Sequence, residues 1–220
     1  MLLIAIDTSG RNGSVALCRG DRDSFETLQL STLEGGTYSA RLMPVIAELL
    51  QQNGFAKNNV DGFVVVLGPG SFTGLRVGLA TVKGLCEVLG KPLATVSMLE
   101  AVVIAHGSGE LTAALDAGRG EVYVGEYRAR NGAAELQREY IVKLAEFAAE
   151  ASGAIVTPDK GVADVLRAAG VEALLVEPVH ADSIGRIGLR KLLAGDVADA
   201  ASVDVNYIRR SDAELFSKPG

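Results

Sequence analysis

The sequence predicts an α/β protein of two lobes, each a mixed β-sheet flanked by helices, with the second lobe abbreviated. Three observations lead there. The first thirty residues alternate apolar and polar types in short runs broken by turns. The run Gly62 to Leu67 then feeds a glycine-rich loop and a long helix. A strand that ends in Asp before a Gly-Arg turn occurs near the N-terminus and again past residue 110.

Taken in order, residues 2–8, 14–19 and 23–30 read as three strands joined by turns at 10–13 and 20–22, an antiparallel meander. A helix over 38–53 follows from Leu42, Val45, Ile46, Leu49 and Leu50, which recur at i, i+3, i+4, i+7 and i+8. Pro44 either marks the first turn of a shorter helix or kinks a longer one. Strand 62–67, the loop Gly68-Pro69-Gly70-Ser71, helix 71–89, strand 92–96 and helix 97–106 complete the order βββαβαβ plus a helix. Hairpins joined to crossover strands give a mixed sheet. The order resembles the ribonuclease H-like lobe of the actin-like (Hsp70/hexokinase) superfamily.

Residues 111–128 restart the pattern: Asp116 takes the place of Asp7, and Gly118-Arg119 that of Gly10-Arg11. Beyond Tyr140 the spacing predicts helices at 143–150, 161–169 and 182–193, strands at 154–156 and 173–176, and an extended segment at 203–208. The lobes are therefore expected at 1–106 and 107–220, with helix 182–193 free to pack back on the first. The charged run Arg209-Arg210-Ser211-Asp212 reads as solvated surface.

Composition narrows the function classes. With 48% hydrophobic residues in 220, the chain can fill a core. Its apolar runs are strand-sized and no basic leader precedes a cleavage site, so the expected location is the cytoplasm. Cys18 and Cys86 fall within a strand and a helix and read as buried thiols. The net charge of −6 is uneven: residues 1–106 carry 8 basic against 9 acidic side chains, residues 107–220 carry 13 against 18. Such a chain is a poor nucleic-acid binder by itself, so any role near RNA needs a basic partner.

The loop after strand 62–67 invites a phosphate, since converging N–H groups and a helix N-terminus favour an anion. Its spacing fits neither familiar loop. Leu75-Arg76 stands where Walker A requires Lys-Ser/Thr, and Thr73 where the dinucleotide fingerprint has its third glycine. Two readings remain: a nucleotide site, with Asp7, Ser9, Gly68, Gly70, Ser71 and Thr73 as its candidates, or a turn capped by Ser71 whose glycines serve only geometry. Asp7 and Asp116 admit the same division, between Mg²⁺ at a nucleotide and Asx-turns. His106 and His180 are the only histidines, and no HExxH, GxSxG or CxxC motif occurs, so metal hydrolysis, a serine elbow and thiol redox chemistry lack their parts.

The two long helices of the first lobe carry more apolar or small surface than one sheet requires. Leu75, Leu79, Val82, Cys86 and Leu89 suffice to dock the second helix, leaving Gly74, Gly78, Thr81 and Gly84 or Leu85 to one side; the first has the wide arc Leu42, Met43, Val45, Ile46, Leu49 and Leu50. A mid-helix glycine costs roughly 1 kcal/mol relative to Ala, which close approach of another backbone offsets. From these arcs Leu42, Val45, Ile46, Leu49, Leu50, Gly74, Gly78, Thr81 and Leu85 are the expected partner interface; the competing reading is a thick core within one chain.

MLLIAIDTS at the N-terminus, SARLMPVIAELL, GPGSFTGLRVGLATVKGLCEVLGKPL and DAGRGEVYVGEY, in this order, closely resemble the TsaB (YeaZ) family, and YIRRSDAE from Tyr207 fits its C-terminal segment. The resemblance covers about the first 130 residues well. It implies a non-catalytic subunit required for N6-threonylcarbamoyladenosine formation next to the anticodon of tRNAs, pairing with and activating TsaD. TsaE joins a ternary complex, TsaC supplies threonylcarbamoyl-AMP, and tRNA is met only through the complex. The subunit alone is implied to be a homodimer without a cofactor of its own, nucleotide binding only at the interface with TsaD.

TsaD-type proteins carry a His-x-Glu-x-His metal motif where this chain has Met98-Leu99-Glu100-Ala101-Val102, so no metal is expected there. Tyr38-Ser39-Ala40 also departs from the His-Ser-Glu run of many relatives. The alternative function is an independent small-molecule kinase or phosphotransferase of the actin-like superfamily, resting on Asp7, Asp116 and the glycine-rich loop.

Overall fold

The computed structural model describes residues 1–206 and 208. Ten strands and six helices of at least seven residues occur among them. In chain order they are β1 (Leu2–Asp7), β2 (Asn12–Gly20), β3 (Phe25–Glu34), α1 (Tyr38–Gln52), β4 (Gly62–Gly68), α2 (Phe72–Leu89), β5 (Leu93–Ser97) and α3 (Met98–His106). There follow β6 (Gly109–Gly118), β7 (Glu121–Arg130), β8 (Ala133–Lys143), α4 (Leu144–Glu150), β9 (Ile155–Thr157), α5 (Lys160–Ala168), β10 (Ala173–Leu175) and α6 (Ala181–Ala194). The charged run at 209–212, and Tyr207 with the segment it opens, lie outside the described residues.

The first sheet has the order β3-β2-β1-β4-β5. Strand β1 pairs antiparallel with β2 and parallel with β4, so it is central, and all six of its residues are buried. Burial on both faces explains why LLIAI is a continuous apolar run. Helix α2 packs on β4 and α1 on β2 and β3, while α6 lies along β1, β2, β4 and β5. Helix α1 continues through Pro44, which sits on its exposed side. The chain after α6 stays with this sheet: Ala198 bridges Leu93, and the Lys83 ammonium donates to the carbonyls of Ala201 (3.1 Å) and Val203 (2.9 Å).

The second sheet has the order β10-β9-β6-β7-β8. Its core comprises Ala114, Val122, Val124, Phe147, Ile155, Val162 and Leu166 among others. Strand β8 is absent from the sequence expectation for a physical reason: it is an edge strand whose middle run, Glu135 to Arg138, is exposed and breaks the alternation of apolar and polar residues.

The described residues divide into two compact units, one of Met1–Ala101 with Pro178–Val205 and one of Val102–Glu177 with Asn206. This differs from a single cut between 106 and 107. The division falls within α3, and the chain returns to the first unit at Pro178, because α6 supplies the cover on the β1 sheet. No helix among the described residues is long and apolar enough to cross a membrane.

Candidate functional site

The glycine-rich loop, the N-terminus of α2 and the end of β1 meet within the first unit. Asp7, Thr8 and Ser9 are 4%, 0% and 7% exposed. Ser9 donates to one Asp7 carboxylate oxygen twice, from its backbone N–H (2.8 Å) and its hydroxyl (2.6 Å), closing an Asx-turn at the strand end. Burial raises the Asp7 pKa above the usual carboxylate value, more than the Ser9 hydrogen bonds and the nearby His180 lower it.

The loop is latched to this turn by its own backbone. Ser71 N–H donates to the Ser9 carbonyl (2.6 Å), Leu75 N–H to the Ser71 carbonyl (2.9 Å), and the Ser71 hydroxyl accepts from Gly74 N–H (3.3 Å) as the N-cap of α2. The Thr8 hydroxyl donates to the Gly74 carbonyl at 2.8 Å. A Cβ on Gly74 would stand 2.1 Å from the Thr8 carbonyl oxygen, and one on Gly78 2.3 Å from the Thr8 hydroxyl. The two helix glycines thus admit the end of β1, a close approach within the chain.

Of the candidate nucleotide residues, Asp7, Ser9, Gly70 and Ser71 converge at this turn, Gly68 closes β4, and Thr73 is exposed on the first turn of α2. The Ser71 and Gly74 N–H groups that an anion would approach are engaged by Ser9 and Ser71, and the neighbouring Asp7 carboxyl opposes negative charge when ionised. Chemically, the arrangement anchors a helix to a strand end.

Three further residues hold this region that sequence reasoning passed over. Tyr38 is buried and donates its hydroxyl to the Gly10 carbonyl at 2.8 Å. The Ser14 hydroxyl accepts from Ala181 N–H at 2.9 Å, fixing the start of α6. Lys191 of α6 donates to Glu100 (2.8 Å) and to the Thr95 carbonyl (3.0 Å), so an ammonium accompanies the carboxylate left in the Met98 to Val102 run. Only the departure at Tyr38 was visible as a signal; the partners of Ser14 and Lys191 are far away in sequence.

The interface expectation needs correction. Leu42, Val45, Ile46, Leu49 and Leu50 are at most 7% exposed within the chain itself. Helix α1 touches both its sheet and α2, so two flanks of it must be apolar. Gly74 and Gly78 meet Thr8, the Thr81 hydroxyl turns back to the Val77 carbonyl (2.8 Å), and Leu85 is half-buried. The surface left outside includes Met43 (49% exposed) and Gly84 from those arcs, together with Phe72 (39%), Ala80 and Val88 (77%) of the same helices. The Arg76 guanidinium lies 3.8 Å over the Phe72 ring.

In the second unit, Asp116 repeats the Asx-turn of Asp7, accepting from Gly118 N–H at 2.8 Å, and its own N–H donates to Asp159 (2.7 Å). Burial, with the charge of Asp116, pushes the Asp159 pKa upward despite that bond. No group of three or more metal-binding side chains occurs among the described residues.

Residues 35–173 match the family model described as TsaD, tRNA N6-adenosine threonylcarbamoyltransferase. The tRNA threonylcarbamoyladenosine biosynthesis protein TsaB of Bacillus subtilis is 36% identical over 137 residues, 61% of this chain and 58% of that relative, so the match spans little more than half the relative's length. YeaZ from Pseudomonas aeruginosa superposes with a TM-score of 0.76 at 25% identity, covering 94% of this chain and 99% of that one. Component A of the (R)-2-hydroxyglutaryl-CoA dehydratase of Acidaminococcus fermentans shares the fold alone, with a TM-score of 0.50 and 11% identity over 88% of this chain and 99% of that one. The chain belongs to the family that the TsaD model describes, and its relatives include the TsaB (YeaZ) proteins.

Proposed function

We propose that the chain is a non-catalytic subunit for N6-threonylcarbamoyladenosine formation in tRNA, pairing with TsaD and activating it, with TsaE joining the complex. The name and role of its Bacillus subtilis relative support the pathway. The observation that carries the pairing is the exposed face of α1 and α2. Met43, Ala80, Gly84 and Val88 stand outside on adjacent helices, and a Cβ on Gly84 would find nothing within 4 Å. Open space beside a mid-helix glycine suits the close approach of a second helix.

The same face serves a homodimer when TsaD is absent. Thr8 at the end of β1 is spent on holding α2 and Ser14 of β2 on holding α6, which supports a structural use of the loop; in this reading nucleotide binds only at the interface with TsaD. Net charge of −6 fits a subunit that meets tRNA through its partners.

Reconstitution of tRNA modification with TsaC, TsaD and TsaE, with and without this chain, tests the reading. Modification is expected to require it; equal product in its absence rejects the proposal. Calorimetry with Mg-ATP on the isolated chain separates the kinase alternative, which demands tight binding with turnover.

A further inference from the structure

Strand β5 ends the first sheet, yet none of its five residues is exposed, whereas β3 at the other edge has five exposed residues of ten. Its own sequence, Leu-Ala-Thr-Val-Ser, offers neither charge nor proline, the usual means by which an edge strand discourages further pairing. The cover comes from elsewhere in the chain.

Phe63 N–H donates to the Pro92 carbonyl at 3.0 Å, so backbone groups of alternate residues from Pro92 face β4, and those of Leu93, Thr95 and Ser97 face away. Each of these three residues is engaged. The Leu93 carbonyl accepts from Ala198 N–H at 2.8 Å, in an antiparallel bridge. The Thr95 carbonyl accepts from the Lys191 ammonium at 3.0 Å, and Ser97 N–H donates to the Glu100 carboxylate at 3.4 Å. Lys191 and Glu100 also bond one another at 2.8 Å, so the ion pair continues along the edge what the bridge begins.

Ala198 belongs to a segment, 196–205, with no helix and this one bridge. Helix α2 holds it: Lys83 donates to its Ala201 and Val203 carbonyls, and Val205 is buried at its end. The second unit uses a related device. Val176 N–H donates to the Thr157 carbonyl at 2.9 Å, which turns Ala173 of β10 outward, and Arg167 of α5 donates twice to the Ala173 carbonyl, at 3.1 and 2.9 Å. A basic side chain on an outward carbonyl of the last strand thus occurs in both units.

We propose that segment 196–205 and the Glu100–Lys191 pair form a guard on the β5 edge, an intramolecular contact that withholds these backbone groups from a strand of a second copy of this chain. Uncovered, two such strands can meet about a two-fold axis with no like charges opposed. The ion pair occupies the two positions beyond the bridge. The guard is separate from the α1–α2 face and stands or falls independently of the role argued above.

Sedimentation velocity over a concentration series tests this with the full chain carrying Val88→Asp, which sets association through the helical face aside. Adding Lys83→Met, Glu100→Gln and Lys191→Met together removes the latch and the ion pair without leaving a lone charge, and is expected to tighten self-association about tenfold or more. Thr95→Pro, added to that variant, is expected to restore the starting value, because the N–H it removes faces away from β4 and the ladder is kept while the edge is blocked. Lys83→Met alone frees only the segment; it is expected to tighten self-association about threefold and decides the matter if circular dichroism shows the triple variant unfolded. Unchanged self-association, or a gain that Thr95→Pro fails to reverse, overturns the proposal.

Discussion

The two units build the same strand-end turn and then secure it differently. Asp7 and Asp116 each close an Asx-turn with the N–H two residues on, at 2.8 Å in both. In the first unit the following loop comes in as bare backbone, Ser71 N–H to the Ser9 carbonyl, because Gly70, Gly74 and Gly78 allow contact. In the second, Thr157-Pro158-Asp159 follows β9 where Gly68-Pro69-Gly70 follows β4, and a side chain, the Asp159 carboxylate, reaches Asp116 N–H instead. The glycine-rich loop is thus the closely packed solution to a problem that its counterpart solves with a carboxylate. Glycines there report backbone proximity before they report a phosphate.

The sharpest way to break this comparison is Gly74→Ala. Its Cβ would collide with a backbone carbonyl, and a loss of about 3 kcal/mol or more is expected in urea denaturation. Gly84→Ala, ten residues along the same helix and facing open space, should instead be neutral or gain up to about 1 kcal/mol. Similar losses at both positions would refute the close-approach account.

Next in size is Lys191→Met. The Glu100 carboxylate is largely buried, and removal of its ammonium leaves it poorly compensated, at a cost of about 2–3 kcal/mol. The double variant with Glu100→Gln should recover part of that loss. No recovery in the double-mutant cycle would mean that the pair is not coupled.

Asp7→Asn tests the buried turn through pH. Burial raises the folded pKa of Asp7 above its ordinary 3.8, so the folded state holds the proton more tightly than the unfolded chain. That contribution favours folding below the ordinary value and is lost as pH rises through the raised folded pKa. The Asn variant should therefore gain on the parent as pH rises above about 4, with a flatter stability profile there. A parallel offset at every pH would contradict the assignment. Smallest of all is Asp116→Asn, on the exposed counterpart, expected within about 0.5 kcal/mol by thermal denaturation.

Much of this was legible in the sequence, because periodicity reports burial. The central strands, α1, α2 and α6 stand within a residue or two of their predicted bounds, and the second Asp-Gly-Arg turn pointed to the repeated topology. Periodicity does not say which neighbour does the burying. The wide apolar arc of α1 therefore read as a partner surface when its flank faces α2, and the stripe of Gly74 and Gly78 when it faces Thr8. Edge strand β8 lacked an alternating pattern, its exposed run Glu135 to Arg138 interrupting it. The Glu100–Lys191 pair spans 91 positions and the Asp116–Asp159 contact 43, distances over which local pattern carries no information.

The corrected interface gives the most direct test of the central claim, that this chain acts through the exposed face of α1 and α2. Val45→Asp would place a carboxylate in the core and unfold the first unit, so it is uninformative about partners. Val88→Asp changes a side chain that is 77% exposed and should leave the thermal midpoint of the isolated chain nearly unchanged. The measurement is the affinity of purified TsaD for the chain and its Val88→Asp variant by calorimetry. The account predicts a loss of about tenfold or more with the fold intact; equal affinity for the two would contradict it.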